Sequence, residues 1–375
     1  MRVGVIGGGQ LGRMLGLAGI PLGFQFRFLE PSAGCPAAIA GEVIPTDYDD
    51  LDGLARLVDG LAVATYEFEN VPAATADWIA QRCDLAPSAR ALAIAQDRIA
   101  EKCAFRDLGI PVQPFAAVST DAEAVHAART VGGPCVLKTR RLGYDGKGQC
   151  VIRETGDAAV VEAVTRGWNS LGRVACILEA FVPFTAEVSM IAARGKRVHH
   201  ANPIAFYPLI QNVHREGILF RSVAPAPCDP LGELACAAQG HVQRLMESLD
   251  YVGVIAVEFF VTDAGLVANE MAPRVHNSGH WTIDGAATSQ FENHLRAISG
   301  MPLGPTGVRG ACAMTNLVGT APVTAEILAI QGARLHLYGK GVRPGRKLGH
   351  ITLCAEDPAA LARPLDRLDA CLKWG

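Results

Sequence analysis

Apolar and polar positions alternate along the first 90 residues in a strand–helix rhythm. Val3-Gly4-Val5-Ile6 is a short β-branched run that predicts a strand, Gly7-Gly8-Gly9-Gln10-Leu11-Gly12 predicts a turn, and 13–19 a helix. Residues 24–29 and 61–66 predict further strands, and their alternation with helices predicts a small open parallel sheet. Helical patterning then runs through 89–108 and stops at Gly109-Ile110-Pro111, residue types expected beyond a helix end. From about 112 to 300 the strand-like runs come in hairpins, with helices set apart. Runs 135–138 and 149–152 flank a glycine-rich loop, 175–179 and 187–191 follow, and helices are predicted over 231–249 and near 289–298. The tail predicts strands near 311–317, 334–338 and 350–353, then a final helix.

The most informative pattern lies in 254–281. Apolar runs 254–257 and 266–268 flank the turn signal Thr262-Asp263-Ala264-Gly265, so a hairpin is predicted. Folded about that turn, Glu258 lies nearly opposite Asn269 and Glu270, with cross-strand Cβ atoms roughly 5 Å apart. Two carboxylates that close among apolar residues repel each other and lose hydration, so a cation or a proton must sit between them. The alternative, a Glu pair on a solvated face, is disfavoured by the apolar neighbours. Two carboxylates and an amide are hard oxygen donors, as Mg²⁺ prefers. The polar run Arg274-Val275-His276-Asn277-Ser278-Gly279-His280 follows at once and reads as the rim of an anion site.

Charge and composition narrow the partners. Lys plus Arg total 34 against 37 for Asp plus Glu, a net charge of −3, without the basic excess of a nucleic-acid footprint. No apolar stretch approaches the roughly 18 residues of a membrane span. Eleven cysteines without a Cys-x-x-Cys pair, and a start lacking a signal-peptide core, predict reduced thiols in a cytoplasmic protein. A length of 375 residues predicts two or three domains.

Several segments suit phosphate or nucleotide. Gly7-x-Gly9-x-x-Gly12 fits a dinucleotide fingerprint, with Glu30 near the distance of a ribose-binding acid. The same glycines also allow a tight passage from strand to helix, leaving the helix N-terminus for another anion, where Gln10 can donate to phosphate. Lys138 through Gln149 is not a Walker A loop, because it lies between strands. A glycine-rich hairpin loop can still close over phosphates with its N–H groups while Lys138 contacts them as a point charge; a flexible basic hairpin is the plain alternative. The linker 180–184 can offer backbone groups to an adenine edge, with an acid beyond it for ribose hydroxyls. His214 falls in a polar loop. Glu67 and Glu69 end a parallel strand, where ligands of open sheets bind, so one is expected to be functional and the other a helix-start residue. Lys340, Arg343, Arg346 and Lys347 crowd one turn, a solvated basic turn or a phosphate clamp.

In this order, the segments 7–14, 65–72, 143–149, 269–281 and 343–350 resemble the ATP-grasp family, and within it the N5-carboxyaminoimidazole ribonucleotide synthetases. The resemblance spans nearly the whole chain, and Pro273-Arg274-Val275-His276-Asn277-Ser278-Gly279-His280-Trp281 is its specific part. It implies an α/β and α+β fold: a biotin-carboxylase-like (Rossmann-like) N-terminal domain over 1–95, an ATP-grasp domain of two α+β lobes over 96–300, and a small C-terminal domain over 301–375. It implies ATP contacts from Arg98, Lys138, Gly143, Tyr144, Asp145, Gly146, Lys147, Gly148, Gln149, Glu179, Ala180, Phe181, Val182, Glu187, His214, Asn269 and Glu270. It implies Mg²⁺, with Mn²⁺ as a substitute, on Glu258 and Glu270. Gln10, Glu67, Tyr144, Asp145, Arg274, His276, Asn277, Lys340, Arg346 and Lys347 would face aminoimidazole ribonucleotide or bicarbonate, and Arg274, Lys138, Asp145 and His276 would act in catalysis. The implied activity is ATP- and bicarbonate-dependent carboxylation of that ribonucleotide through carboxyphosphate, in purine biosynthesis, by a cytoplasmic homodimer. The rival readings are a sister ATP-grasp ligase using formate or an amino acid as the acyl donor, an NAD-dependent oxidoreductase built on the first glycine turn, and a non-catalytic nucleotide-binding regulator.

Overall fold

The computed structural model describes residues 1–143, 148–196, 203–320 and 322–372, and within them the chain forms three sheets. Strands β1 (Arg2–Ile6), β2 (Gln25–Leu29), β3 (Glu42–Ile44) and β4 (Val63–Tyr66) pair in parallel in the order β3-β2-β1-β4. β3 has three residues, too few for a period-2 pattern to declare itself. The helical stretch at 89–108 divides into Ala89–Ala95 and Arg98–Asp107. Asp97 makes the break by capping the second helix, accepting from the N–H groups of Ile99 (3.1 Å) and Ala100 (3.4 Å).

The second sheet is antiparallel: β5 (Phe115–Val118), β6 (Cys135–Thr139), β7 (Gln149–Ile152) and β8 (Cys176–Ala180), in the order β5-β8-β6-β7. Helices Asp121–Val131 and Asp157–Ser170 place Ala124, Ala128, Val160 and Trp168 against its Leu137, Ile152 and Leu178.

The third sheet, nine-stranded among the described residues, takes in β9 (Ala186–Arg194), β10 (Ile204–Phe206), β11 (Ile210–Arg215), β12 (Ile218–Ala224), β13 (Gly253–Thr262), β14 (Gly265–Ala272), β15 (Ala311–Val318), β16 (Ala333–Leu337) and β17 (Lys347–Ala355). Its order is β14-β13-β9-β11-β12-β15-β17-β16, with β10 beside β9. The strands of the last 65 residues thus continue the sheet of the preceding lobe, joined where β12 pairs with β15.

Period-2 alternation sends the side chains of β13 into two cores. Val254 and Ala256 pack with Val3, Phe26, Phe28, Trp281 and Phe291, so this core joins the first sheet to the third. Ile255, Val257 and Phe259 pack on the other face with Val242 and Leu245 of helix Glu233–Ser248 and with Phe105. Glu258 shares the face of Val254 and Ala256, at the point where that core gives way to a cavity. No helix among the described residues is long and apolar enough to cross a membrane.

Candidate active site

All three sheets contribute to one cavity of about 610 Å³. Its wall includes Gln10, Glu67 and Glu69 from the first unit, Lys138, Gly143, Gly148 and Gln149 from the second sheet's hairpin, and Glu187, His214, Glu258, Asn269 and Glu270 from the third sheet. Arg98, Arg274, His276, Asn277 and Lys347 also line it.

The hairpin acids meet as their spacing predicts. Glu258 pairs with Glu270, while the next register step joins Phe259 to Ala268. Asn269 is therefore the extra residue of a β-bulge, a device that re-aims side chains beside sites. Burial pushes the Glu258 carboxyl up to about 7, and the Glu270 charge adds to this. Burial acts on Glu270 in the same sense, yet the Arg98 guanidinium, 2.9 Å away, holds that carboxyl down at about 2. The guanidinium thus relieves part of the repulsion, and Glu258 binds a proton more readily than an ordinary carboxylate. The Oδ1 atom of Asn269 is buried and has no hydrogen-bond partner among the described residues. An orphaned amide oxygen between two carboxylates is a donor set for a hard cation. Among the described residues no three His, Cys, Asp or Glu side chains gather as a metal cluster. A cation here would rest on two carboxylates, the amide and bound phosphates, which is how Mg²⁺ commonly sits in phosphoryl-transfer sites.

Lys138 enters the cavity from β6 and is steadied by Glu179 Oε2 at 2.6 Å. Glu179 is expected among the ATP contacts, but its side chain is 1% exposed and lies behind Lys138, with Lys102 Nζ 3.1 Å away on its other side. Burial alone would raise the Glu179 carboxyl; the two ammonium groups hold it at about 2. The backbone of the adjoining linker is partly engaged as well, since the N–H groups of Ala180 and Phe181 donate to the carbonyls of Pro114 and Pro134. Val136, Val151, Phe184 and Phe260 give this end of the cavity an apolar wall, and the last two rings stack 4.8 Å apart.

His214 lies on β11 rather than in a loop, beside a register shift between Val213 and His214. Its Nδ1 is 2.6 Å from Glu187 Oε2. Burial would lower its pKa, but hydrogen bonding to Glu187 and the nearby carboxylates raise it.

On the opposite wall, Arg274 Nε donates to Glu69 Oε2 at 2.5 Å, and Arg274 Nη1 to Val275 O at 3.1 Å. The following turn is braced by buried Gln290, which accepts from His276 N–H (2.9 Å) and donates to His276 O (2.6 Å). Burial first, then the Arg274 charge, lowers His276 to about 3, so its imidazole is neutral. Ser278 N–H donates into His276 Nδ1, which leaves the ring proton on Nε2, 3.8 Å from Glu258 Oε1. Asn277 reaches the wall while exchanging reciprocal amide hydrogen bonds with Asn316, at 3.0 and 2.8 Å.

Several expected residues meet partners within the chain itself. Glu67 lines the wall, yet its carboxylate accepts from the N–H groups of Gly9 and Gly12, occupying the helix N-terminus that the glycine turn creates. A Cβ at Gly9 would stand 2.6 Å from Glu67 Oε1, which explains that glycine. Glu30 Oε2 accepts from Gly8 N–H (3.0 Å) and Tyr48 OH (2.8 Å). Two acids of the chain therefore fill the turn where a dinucleotide reading needs pyrophosphate and ribose. Lys340 and Arg346 are not in the cavity wall: Lys340 Nζ donates to Gln10 Oε1, and exposed Arg346 donates to Gly341 O at 3.3 Å. Tyr144, Asp145, Gly146 and Lys147 lie outside the described residues. Lys102, Gln290, the pairing of Glu69 with Arg274, and Glu101, whose Oε1 accepts from Met271 N–H at 2.6 Å, were not legible in the sequence, because each partner lies outside the local segment.

Residues 103–291 match the ATP-grasp domain, 1–96 the ribonucleotide synthetase preATP-grasp domain, and 312–363 the phosphoribosylaminoimidazole carboxylase C-terminal domain. N5-carboxyaminoimidazole ribonucleotide synthase of Pseudomonas aeruginosa is 50% identical over 373 residues, covering 100% of both chains. The crystal structure of the N5-carboxyaminoimidazole ribonucleotide synthetase of Thermus thermophilus superposes with a TM-score of 0.92 at 49% identity, covering 100% of each chain. An Aspergillus clavatus N5-carboxyaminoimidazole synthase, solved with ADP and 5-aminoimidazole ribonucleotide, superposes with a TM-score of 0.86 at 28% identity over 98% of each chain. On its cavity, its fold and these likenesses, the chain belongs to the N5-carboxyaminoimidazole ribonucleotide synthase family of ATP-grasp ligases.

Proposed function

We propose that the chain uses ATP to join bicarbonate to the exocyclic amine of 5-aminoimidazole ribonucleotide, giving N5-carboxyaminoimidazole ribonucleotide, ADP and phosphate in purine biosynthesis. The observation that carries this is one cavity holding Glu258, Asn269 and Glu270, the cations Lys138 and Arg98, and the run Arg274-Val275-His276-Asn277.

Bicarbonate is a poor electrophile and the aminoimidazole amine a weak nucleophile. Phosphoryl transfer from ATP turns the bicarbonate hydroxide into a leaving group. The resulting carboxyphosphate releases CO₂ in place, and the amine attacks it. Lys138 and the N–H groups of the glycine-rich hairpin hold the β and γ phosphates, with Tyr144, Asp145, Gly146 and Lys147 assigned by the family pattern. Glu187 binds ribose hydroxyls next to His214, and the apolar wall takes the adenine. Arg274, anchored by Glu69, stabilises the charge of carboxyphosphate. Neutral His276 orients the acceptor by donating from Nε2 rather than by carrying charge. Glu258, Glu270 and the orphaned Asn269 Oδ1 would hold Mg²⁺, or Mn²⁺ in its place, which supplies positive charge to the phosphate oxygens. Water must be excluded, because carboxyphosphate hydrolyses readily.

The test is ADP release with ¹⁸O-bicarbonate, with and without the ribonucleotide. Ribonucleotide-dependent ADP and label in the released phosphate are expected. ADP formation indifferent to the ribonucleotide, with unlabelled phosphate, overturns the reading. The same reading makes the protein a cytoplasmic homodimer. Leu17, Ile20 and Leu22, exposed by 45%, 48% and 38% at one helix end, support an apolar contact face. A monomer by sedimentation at micromolar concentration would count against the dimer.

A further inference from the structure

Away from the cavity, β15 and β17 carry two thiols that the proposed reaction does not use. Cys312 and Cys354 stand opposite each other in the antiparallel register, with Sγ atoms 3.5 Å apart. The N–H of Cys354 donates to Gly332 O, away from β15. A residue in an antiparallel ladder aims its N–H and C=O at the same neighbour, so toward β15 the two cysteines are a non-hydrogen-bonded pair. Such pairs have Cα atoms roughly 4.5 Å apart and the closest side chains. That separation falls inside the span of about 4.4–6.8 Å over which a disulfide closes without backbone movement. Among the described residues no other two cysteines face each other in a strand register.

The surroundings divide the labour between the two sulfurs. Cys312 is fully buried beside Gly285 and Trp281, while Cys354 is partly exposed. The Cys312 thiol donates toward Cys354 Sγ and so lowers the Cys354 thiol; burial and the Asp284 charge oppose this, and the charges of Arg334 and Arg309 add to it. The partly exposed sulfur, which accepts its neighbour's S–H, is the attacking one, and the buried sulfur the resolving one.

We propose that Cys312 and Cys354 form a redox modification site, which hydroperoxides oxidise to an intramolecular cross-strand disulfide and small thiols reduce again. The Cys354 thiolate attacks one peroxide oxygen, the O–O bond breaks, and the departing alkoxide or hydroxide takes a proton, leaving a sulfenic acid. The Cys312 sulfur then attacks the Cys354 sulfur; the S–O bond breaks, the S–S bond forms, and hydroxide leaves as water with the Cys312 proton. The two sulfurs together lose two electrons, and the peroxide gains them. Two equivalents of a small thiol reverse the step by exchange.

Full-length native protein is treated with hydrogen peroxide, its remaining thiols are alkylated, and its peptides are mapped by mass spectrometry. The peptides bearing Cys312 and Cys354 are expected to link first, two hydrogens lighter, and to separate with dithiothreitol. Oxidation of other cysteines with 312 and 354 unlinked overturns the proposal. In Cys312→Ser the sulfenic acid at Cys354 has no resolving thiol, so dimedone labelling there is expected to rise about tenfold over wild type. Labelling equal to wild type overturns the assigned order of attack. If that variant does not fold, the wild-type peptide map alone decides the proposal.

Discussion

Arg98 determines which hairpin carboxylate carries the charge. It reaches Glu270 across 172 sequence positions and holds that carboxyl down, while burial and the Glu270 charge push the Glu258 carboxyl up. Glu270→Gln keeps the shape and removes the charge that faces the phosphates. Turnover is expected to fall by about 10²-fold or more at saturating Mg²⁺; near-wild-type turnover would refute the assigned role. Glu69 acts one step removed, through the guanidinium of Arg274. Glu69→Gln keeps a hydrogen-bond acceptor but loses the ion pair, so kcat/KM is expected to drop about tenfold, mostly in kcat, because the anchored group serves a developing charge. A change confined to the KM for ATP would place Glu69 elsewhere in the chemistry.

Between elements, Glu179 is the central tie. It lies on β8 and forms ion pairs with Lys138 of β6 and with Lys102 of helix Arg98–Asp107, whose Nζ also donates to Ala268 O on β14 at 3.0 Å. Burial pulls the Lys102 ammonium down, and Glu179 opposes that pull. Glu179→Gln leaves Lys102 buried without its counter-charge and is expected to destabilise the protein by about 3 kcal/mol in urea unfolding. The carboxyl is held near 2, below its ordinary 4.5, so its contribution is full above about pH 4.5 and fades as pH falls toward 2. The difference between wild type and variant should therefore narrow on acidification below pH 4.5; a difference independent of pH there would show that the charge is not what stabilises. The turn after β14 is as closely set. A Cβ at Gly279 would stand 2.6 Å from Gln290 Oε1, the atom that holds His276 N–H. Gly279→Ala is expected to cost about 1–3 kcal/mol, read as a lower urea midpoint.

Over the whole molecule, the cavity exists because distant parts of the chain share cores and contacts. Val3, Phe26 and Phe28 pack with Trp281 and Phe291, which sets Glu69 against Arg274. Lys340 reaches Gln10 across 330 positions, tying the turn after β16 to the first helix. Removing that tie in Lys340→Ala disturbs the acceptor side of the cavity and leaves the ATP side in place. The KM for the ribonucleotide is expected to rise about tenfold, with that for ATP changing less than about twofold. Equal effects on both substrates would count against this division of the cavity.

Periodicity and turn chemistry are local, and what depended on them was legible in the chain. The Glu258–Glu270 opposition follows from alternating apolar positions on either side of Thr262-Asp263-Ala264-Gly265. The glycine turn after β1, the hairpin at 135–152 and the run from Pro273 to Trp281 were readable in the same way, and the last of these carried the family. Tertiary structure decided the partners. Only folding brought Arg98 to Glu270, Glu69 to Arg274 and Lys102 to Glu179. It also turned Glu67 into the acid that fills the glycine turn, set His214 on a strand, and made β15–β17 continue the large sheet. The physical reason is that side-chain spacing along a strand or helix is set by neighbours in sequence. Burial, the charge a carboxylate keeps and the edge a strand pairs with are set by groups that meet only when the cores close.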